Sequence, residues 1–329
     1  MPRIVVVTGA GAGVGLATAK EFARRGETVA LLGRDGERLG RATKDLLDYG
    51  VRAAAFPVDT ADAKAVETAA AEIEATLGPI DVWINNAMAT VFSPVSALPA
   101  NEIKRVTEVT YLGTVYGTMA ALRRMTPRGK GIIINVGSAL AYRSVPLQAA
   151  YCGAKSAIRG FTDSLRSELI HDKLDIQLTM VHLPAVNTPQ FSWAKNRTGH
   201  GARPMAPVYQ PEVAARAIAY AASVKRREVW VGFSTLLAIL ANRIAPSLAD
   251  RYLARAGYEG QFTAANVMPD APSNLFEPVP GNFGAHGAFD DKAKTTSWEL
   301  FTTEHRYLIF AAAMGALYGL HRVVKRFGV

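Results

Sequence analysis

Cysteine is almost absent from this sequence, since its 329 residues include only one. A single thiol cannot form a disulfide within the chain, which fits a reducing compartment. The six histidines show no metal-ligand spacing, such as two histidines four apart on a helix, so we expect no metal site. Repeats of solenoid length are absent as well. These absences exclude an internally disulfide-bonded scaffold and argue against a metalloprotein or a repeat protein.

Blocks of like charge are also missing, although the formal net charge is +9. The excess comes mostly from arginines spread over the whole sequence, and no basic strip interleaved with aromatics appears. We therefore expect no nucleic-acid partner and interpret the basic surface as attractive to an anionic cofactor or a membrane. The sequence starts directly on an apolar run typical of a strand, so we expect no signal peptide and a cytoplasmic location.

Short apolar runs alternate with helical patterns from residue 4 to residue 231. This alternation predicts an α/β fold with a doubly wound parallel sheet. The predicted strands cover residues 4–7, 28–32, 52–57, 82–85, 131–136, 177–182 and 228–231. The predicted helices cover residues 14–25, 35–48, 62–77, 101–126, 149–171 and 210–223.

The sheet and its helices account for residues 1–233, and the remainder divides in two. Residues 234–297 predict an extension with one or two helices around Pro246, followed by an arm rich in proline and glycine. Residues 298–329 contain a helical stretch, 307–320, that is apolar on every side. It spans about 21 Å, less than the ~30 Å hydrocarbon core of a bilayer. It is either a membrane-associating tail, which we favour, or a helix buried in an oligomer.

A glycine-rich turn follows the first predicted strand immediately. Residues 8–15 read Thr-Gly-Ala-Gly-Ala-Gly-Val-Gly and lead into a helical pattern. Glycines let backbone N–H groups approach a pyrophosphate closely, and the helix dipole favours its negative charge. The turn therefore predicts a dinucleotide phosphate site. Its residues are Gly9, Gly11, Gly13, Val14 and Gly15.

Tyr151 and Lys155 stand four residues apart in a predicted helix and so lie on one face. A free tyrosine, with a pKa of about 10, transfers protons poorly near neutrality, but a neighbouring ammonium favours its phenolate. Ser138, upstream of the pair, offers a hydroxyl suited to holding a carbonyl or alcohol oxygen. The spacing is weak on its own, because many helices carry it by chance.

With these motifs together, the sequence resembles the classical short-chain dehydrogenase/reductase family. The motifs that carry the resemblance lie in order between residue 3 and about residue 233. They are the loop 8–15, Asp59, Asn85-Asn86-Ala87, Ser138, and Tyr151 with Lys155. The resemblance implies a Rossmann-type sheet and NAD(P)-dependent interconversion of a carbonyl and an alcohol. It does not identify the substrate, because one fold hosts many functions.

The resemblance also implies roles for single residues. Tyr151 would be the general acid in carbonyl reduction and the base in alcohol oxidation. Lys155 would lower the pKa of Tyr151 and bind the nicotinamide ribose, while Ser138 would orient the substrate oxygen. The implied cofactor-binding residues are Gly9, Gly11, Gly13, Val14, Gly15, Arg34, Asp59, Asn85, Ala87, Tyr151, Lys155 and Thr188.

Two positions depart from the family pattern. Thr110 stands where many members have an asparagine that helps to hold a proton-relay water, so we expect an altered relay with Thr110 as its catalytic-site member. After the sixth strand, the family's Pro-Gly reads Pro184-Ala185, while Thr188 is retained for the nicotinamide carboxamide.

The end of the second predicted strand bears on the choice of cofactor. NAD-using relatives carry an acidic residue there, whereas this strand ends on Gly33 and Arg34. A guanidinium forms planar, charge-assisted hydrogen bonds with a phosphate. The sequence therefore favours NADP(H) over NAD(H). Arg38, one helical turn on, either assists Arg34 or is solvated.

A long loop, 189–211, suggests a mobile lid over the nicotinamide. Its Phe191 and Trp193 either present an aromatic face to the substrate or seal the lid against the domain. Further apolar lining is expected from Leu140, Tyr142, Val145 and Pro146. We expect a lipophilic carbonyl or secondary alcohol as substrate.

Three classes of function follow from the sequence. The first is an NADP(H)-dependent oxidoreductase; the second is a cofactor-binding sensor that no longer turns over; the third is a membrane-associated scaffold. We expect the first, acting as a homo-oligomer, either a dimer or a tetramer.

Overall fold

Seven parallel strands form the main sheet of the computed structural model, which describes residues 2–268, 270–306 and 314. The strands are β1 (Ile4–Thr8), β2 (Thr28–Gly33), β3 (Ala53–Pro57), β4 (Val82–Asn85), β5 (Lys130–Ser138), β6 (Asp175–Leu183) and β7 (Glu228–Trp230). Their spatial order is β3-β2-β1-β4-β5-β6-β7. The winding reverses between β1 and β4, which is where sheets of this kind bind ligands. The predicted doubly wound α/β fold is confirmed.

Helices cover both faces of the sheet. They are α1 (Gly13–Arg24), α2 (Gly36–Leu47), α3 (Ala63–Thr76), α4 (Ala100–Val106), α5 (Gly113–Met125), α6 (Ala149–His171), α7 (Gln190–Trp193), α8 (Pro211–Ala221), α9 (Phe233–Ile244), α10 (Pro246–Glu259) and α11 (Trp298–Glu304). Successive residues of a strand point to opposite faces. Val5 and Val7 of β1 therefore pack with α1, α2 and α8, whereas Ile4 and Val6 pack with α3, α5 and α6.

Aspartates begin the helices after β2 and β3. The Asp35 carboxylate accepts a hydrogen bond from the Arg38 backbone N–H at 2.9 Å, and Asp62 accepts from the N–H groups of Lys64 and Ala65 at 2.9 and 3.0 Å. These caps satisfy amide groups that the first turn of a helix leaves free. Asp35 therefore starts α2 directly after Arg34, which lies at the sheet edge.

The helix predicted over 101–126 is interrupted. A π-helical stretch, Thr107–Leu112, separates α4 from α5. Such stretches are rare and often lie at functional sites. A Cβ added to Gly117 would lie 2.2 Å from the Asn85 Oδ1 atom, so α5 packs against β4 more closely than a side chain there would allow.

Short elements connect the lid loop to the rest of the chain. Val91–Phe92 pairs with Lys195–Asn196, and His200–Ala202 pairs with Phe262–Asn266. A third small sheet contains Ala185–Val186, Val208–Tyr209 and Ala293–Lys294. The 3-10 helices are Val95–Ala97, Thr126–Arg128, Ala139–Ala141 and Asp290–Lys292.

The extension after residue 233 begins with a helical hairpin, α9 and α10. The sequence predicts one or two helices around Pro246; α9 ends at Ile244, and Pro246 is the first residue of α10. In the described part of the chain, no helix combines the length and apolar character needed to cross a bilayer. The apolar stretch 307–320 lies outside the described residues except for residue 314.

Candidate active site

The carboxyl ends of the central strands open into a cavity of about 830 Å³. It runs from the glycine-rich turn at one end to the α9–α10 hairpin at the other. Most of the predicted site residues line it. They are Gly9, Gly11, Gly13, Val14, Gly15, Arg34, Asp59, Ala87, Ser138, Tyr151, Lys155 and Thr188.

The glycine-rich turn has backbone geometry that side chains would disrupt. Gly9 and Gly13 have φ angles of +69° and +56°, in the left-handed region that favours glycine. A Cβ on Gly15 would lie 2.1 Å from the Gly9 carbonyl oxygen. Ala12, which precedes α1, has no side chain able to cap the helix. The Gly13 N–H donates to the Gly284 carbonyl at 3.1 Å, and the rest of this glycine backbone and helix N-terminus fits the pyrophosphate of a dinucleotide.

Asn85 does not line the cavity, and its cofactor contact stays a prediction. Its side chain is 2% exposed and lies in a buried network. It accepts a hydrogen bond from the Trp83 indole at 2.8 Å and donates to Thr118 and Asn135, both at 2.9 Å. A strand residue pointing into a helix-covered face takes part in packing. Asn85 therefore joins β4, β5 and α5 beneath the site.

Thr8 has a supporting role that the sequence interpretation missed. Its hydroxyl accepts hydrogen bonds from the backbone N–H groups of Asn86 and Ala87 at 2.9 and 3.0 Å. It joins the end of β1 to the turn after β4. The Asn86 side chain also donates to the Thr8 carbonyl at 2.9 Å. The position of this threonine directly before the glycine turn was the sequence signal from which its role could have been predicted.

Ser138, Tyr151 and Lys155 converge on the same stretch of the cavity. The Tyr151 phenol is hydrogen-bonded to the Ser138 side chain. Lys155 is 3% exposed, and its ammonium donates to the Val136 carbonyl at 2.6 Å and lies 5.6 Å from the centre of the Tyr151 ring. The Ser138 oxygen also accepts a hydrogen bond from the Leu140 N–H at 3.1 Å. Three chemically suited groups therefore meet at the end of β5 and the start of α6.

The expected lowering of the Tyr151 pKa by Lys155 is wrong for this structure. Burial raises the Tyr151 pKa above its ordinary value, and the hydrogen bond from Ser138 only partly opposes this. Burial also lowers the pKa of Lys155 to about 7, which weakens its positive charge near neutrality. The helical spacing gave the direction of the two side chains but not their burial, and burial is the larger effect.

Thr110 lies beside the site rather than on the cavity wall. Its hydroxyl is fully buried, accepts a hydrogen bond from the Ala89 N–H at 3.0 Å and donates to the Ala89 carbonyl at 3.1 Å. It thereby joins the π-helical stretch to the loop after β4. Its role in a proton relay stays a prediction, and the single hydroxyl proton is already donated to Ala89.

Arg34 lines the cavity but already has partners in the extension. Its guanidinium donates to the carbonyl oxygens of Asn274, Leu275 and Phe276, the last at 2.5 Å. Arg38 is not simply solvated, because its side chain is 10% exposed and donates to the Val279 carbonyl at 2.6 Å. Residues 274–279 thus approach the end of β2, which no local sequence pattern indicated.

Asp59 also has protein partners. Its carboxylate forms an ion pair with Arg105 and accepts a hydrogen bond from the Ala61 N–H at 3.0 Å. Its predicted contact with the cofactor stays a prediction. Arg105 in addition donates to the Leu275 carbonyl at 3.1 Å.

The lid aromatics Phe191 and Trp193 border the cavity and also pack against the rest of the protein. Phe191 lines the cavity and packs between Phe92 and Phe289, with ring centres 6.2 and 6.0 Å away. Trp193 also borders the cavity, but it is 7% exposed and packs against Phe283 at 4.5 Å. Both rings therefore face the cavity and hold the lid down.

Two of the four residues expected between Ser138 and Tyr151 line the cavity. Leu140 and Val145 do so, whereas Tyr142 and Pro146 do not. The Tyr142 hydroxyl donates to the Glu228 carboxylate at 2.7 Å, away from the cavity. Pro146 lies next to Gly257 of α10.

The α9–α10 hairpin forms the apolar end of the cavity, which the sequence interpretation missed. In both helices the lining residues recur every three or four positions, and this pattern was the sequence signal from which a shared face could have been predicted. The lining residues of this hairpin are Ser234, Leu237, Ala238, Ala241, Ala245, Leu248, Ala249, Tyr252 and Leu253.

Comparison with known proteins agrees with this geometry. The family model of the short chain dehydrogenases matches residues 3–198 of this chain. The chain is 30% identical over 319 residues to the uncharacterized oxidoreductase YxnA of Bacillus subtilis, covering 95% of this chain and 88% of that protein. It is 30% identical over 277 residues to a fatty acyl-CoA reductase of Acinetobacter baylyi, covering 84% and 88%.

A solved structure has the same fold. The alcohol dehydrogenase of the archaeon Thermococcus sibiricus, in complex with 5-hydroxy-NADP, matches with a TM-score of 0.60 and 24% identity. The match covers 70% of this chain and 96% of that one.

Proposed function

Because this chain belongs to the short chain dehydrogenase family and is an oxidoreductase with an NAD(P)-binding fold, we propose that it interconverts a carbonyl and a secondary alcohol. The observation that carries the proposal is the convergence of Ser138, Tyr151 and Lys155 on one stretch of the cavity. These groups supply a hydrogen-bond donor, a proton donor and a cation beside the position of the substrate oxygen.

Tyr151 is the proposed acid and base. The bound nicotinamide supplies or accepts the hydride. During reduction, Tyr151 donates its phenolic proton to the carbonyl oxygen, which Ser138 holds by a hydrogen bond. The raised pKa of Tyr151 keeps the phenol protonated at neutral pH, so reduction has its acid ready. Alcohol oxidation needs the phenolate and is favoured as the pH rises.

Lys155 is the proposed cation of the site. Its ammonium lies beneath the Tyr151 ring and stabilises the phenolate left after proton transfer. Contact with the nicotinamide ribose is part of the same proposal.

NADP(H) is the proposed cofactor, in preference to NAD(H). Two arginines, Arg34 and Arg38, line the end of the cavity next to β2. Two carboxylates also line this end: Asp35 caps α2 and forms an ion pair with Arg38 at 3.1 Å, and Asp59, whose charge acts on Arg34, forms an ion pair with Arg105. Positive charge therefore predominates where the 2′-phosphate would lie.

The proposed substrate is lipophilic. The apolar end of the cavity combines Leu237, Leu248 and Tyr252 of the α9–α10 hairpin with Phe92 and Phe191. Such a lining favours an aliphatic or aromatic carbonyl over a sugar or a small acid. The name of the Acinetobacter baylyi relative, a fatty acyl-CoA reductase, supports a lipophilic substrate.

A sensor without turnover and a membrane scaffold are not favoured. The sensor would need a defective proton-transfer site, and Ser138, Tyr151 and Lys155 are all in place. The scaffold depended on residues from about 297 onward. We retain a cytoplasmic homo-oligomer, dimer or tetramer, as part of the proposal, along with membrane contact through the C-terminal segment. Light scattering and cell fractionation of the full chain measure these two properties.

Tyr151→Phe tests the proposed function. The substitution removes the proton donor but leaves the glycine turn intact. We expect kcat for NADPH-dependent reduction of a panel of aliphatic and aromatic ketones to fall by about 10²–10⁴-fold. NADPH binding, followed by its fluorescence, should stay within about threefold of the unmodified chain. Full turnover by the variant would contradict the proposal.

A further inference from the structure

Residues 274–290 form a C-terminal arm that crosses the open side of the dinucleotide end of the cavity. The arm begins beside the lid, where the Asn274 N–H donates to the Trp193 carbonyl at 2.9 Å. It passes the end of β2 and reaches the glycine-rich turn, where the Gly13 N–H donates to the Gly284 carbonyl at 3.1 Å. It ends near Asn187, whose side chain donates to Asp290 at 2.8 Å.

Arginines of the catalytic domain hold the arm by its backbone. Arg34 donates to three consecutive carbonyls, those of residues 274–276, while Arg105 donates to Leu275 as well. Arg38 donates to Val279 at 2.6 Å and Arg41 to Gly281 at 3.3 Å. Four arginine side chains therefore donate hydrogen bonds to neutral backbone carbonyl oxygens of this one short segment.

Apolar side chains hold the arm at several points, of which Leu275 and Phe283 lie nearest the end of β2, and Phe289 packs against Phe191 at 6.0 Å. Leu275 is fully buried in a small cluster with Val91, Val106 and Val109, separate from the two cores that flank the sheet. Phe283 packs edge-on against Trp193, and the Arg38 guanidinium lies 5.2 Å from the Phe283 ring and 4.9 Å from the Trp193 ring. The Leu275 cluster is separate from both main cores, whereas Ala285 of the arm packs against the core formed with α1, α2 and α8.

The arm also borders the cavity itself. Asn274 and Pro278 line it, facing the same space as Arg34 and Asp59. The inner side of that space is the glycine-rich turn, which fits a pyrophosphate. A dinucleotide lying between the turn and the arm would be enclosed on two sides.

We propose that the C-terminal arm is the outer wall of the dinucleotide site and that the cofactor leaves only when the arm detaches. This inference rests on the proposed use of a nicotinamide dinucleotide. Arg34 then serves two partners: it holds the arm, and it contacts the adenosine end of the cofactor. Loosening the arm at Leu275 increases the release rate of NADPH and NADH by the same factor, because the apolar cluster there includes neither Arg34 nor Arg38.

Leu275→Ala tests the proposal, with Leu77→Ala as matched control. Both changes remove the same atoms from a buried site, but Leu77 lies in a main core that includes no residue of the arm. Release of prebound NADPH and NADH is followed by stopped-flow fluorescence during a chase with excess oxidised nucleotide. We expect Leu275→Ala to raise both release rates at least tenfold and Leu77→Ala to leave them within twofold. Release from Leu275→Ala at the unmodified rate, or faster release of NADPH alone, would overturn the proposal.

A second pair keeps the test decisive where Leu275→Ala does not fold. Phe283→Ala loosens another attachment point at a partly exposed position, and Asn282→Ala, its exposed neighbour, is the control. We expect faster release of both nucleotides from Phe283→Ala only, and equal release from the two variants would overturn the proposal. An unmodified chain that binds neither nucleotide would overturn the proposed cofactor use and this inference together. Normal binding with unchanged release overturns the arm's role alone.

Discussion

The two walls of the cavity are built in different ways. The inner wall consists of the glycine-rich turn, the ends of the strands, and the Ser138, Tyr151 and Lys155 side chains, each adjoining the element that positions it. The outer wall consists of the C-terminal arm and the α9–α10 hairpin. The arm meets the inner wall through contacts between residues far apart in sequence, as between Arg34 and Leu275, 241 residues away.

Because of this difference, sequence motifs indicate the inner wall but not the outer wall. The inner wall needs particular side chains, or glycine, at fixed spacings, so it leaves motifs. The arm is held largely by its carbonyl oxygens, which every residue possesses. Substitutions at glycines in the two walls should therefore have unequal effects.

The largest expected effect is that of Gly15→Ala in the inner wall, compared with Gly284→Ala in the outer wall. The new methyl group at position 15 would lie 2.1 Å from the Gly9 carbonyl oxygen, whereas position 284 has no atom within 4 Å. Overpacking of this kind costs about 1–3 kcal/mol, more than the gain in helix propensity of about 1 kcal/mol. We expect Gly15→Ala to lower the thermal midpoint and abolish measurable NADPH binding in calorimetric titration. Equal behaviour of the two variants would contradict the distinction between the walls.

Arg34→Asp tests the residue at which the two walls meet. A hydrogen bond to a charged group contributes about 1.5–3 kcal/mol, so we expect NADPH affinity to fall about 10- to 100-fold more than NADH affinity. Arg41→Asp, which makes the same charge change on the exposed side of α2, is the control and should alter the ratio little. An unchanged ratio for Arg34→Asp would contradict the proposed NADP(H) preference. An equal loss of both nucleotides would assign Arg34 to the arm alone.

The buried Lys155 makes the stability of the inner wall depend on pH. Its pKa is lowered from 10.5 to about 7 by burial, so between these values the unfolded chain binds more protons than the folded one. Stability therefore rises with pH across this range, and Lys155→Met should remove that contribution. We expect the variant to be more stable than the unmodified chain at pH 7 and this advantage to shrink by about 1–2 kcal/mol at pH 9. Urea unfolding at several pH values measures the difference, and a constant gap would argue against a deprotonated lysine.

The smallest expected effect concerns the apolar end of the outer wall. Leu237 lines the cavity, while Leu240 is exposed on the same helix and does not. We expect Leu237→Ser to raise KM for a long-chain ketone about three- to fivefold, since a lost apolar contact is worth roughly 1 kcal/mol. A short ketone should be unaffected, and Leu240→Ser should change neither value. If both leucines behave alike, this helix face does not contact the substrate.

The sequence was sufficient to predict the sheet, because its apolar runs and helical patterns alternate without ambiguity. It also predicted most of the cavity lining on the inner wall. It did not show that Asn85 packs beneath the cavity, since spacing alone does not tell on which face of β4 a side chain packs. It was wrong about the direction of the Tyr151 pKa, because burial depends on the surrounding fold.

Other features required the three-dimensional structure. The π-helical stretch at Thr107–Leu112 follows from contacts between α5 and its neighbours, and the sequence there reads as continuous helix. The approach of residues 274–279 to Arg34 depends on the path of the whole extension. A proline- and glycine-rich segment predicts an arm, but not where that arm lies.

The hydrogen bond between Gly13 and Gly284 also has a consequence for synthesis of the protein. The ribosome makes the glycine-rich turn well before the arm, so a nascent chain can complete the inner wall before the outer one exists. Pairings over such sequence distances form late in folding, because the intervening chain must first be ordered. With the arm as the proposed outer wall, the nucleotide site of a newly made molecule stays open until residue 284 has left the exit tunnel.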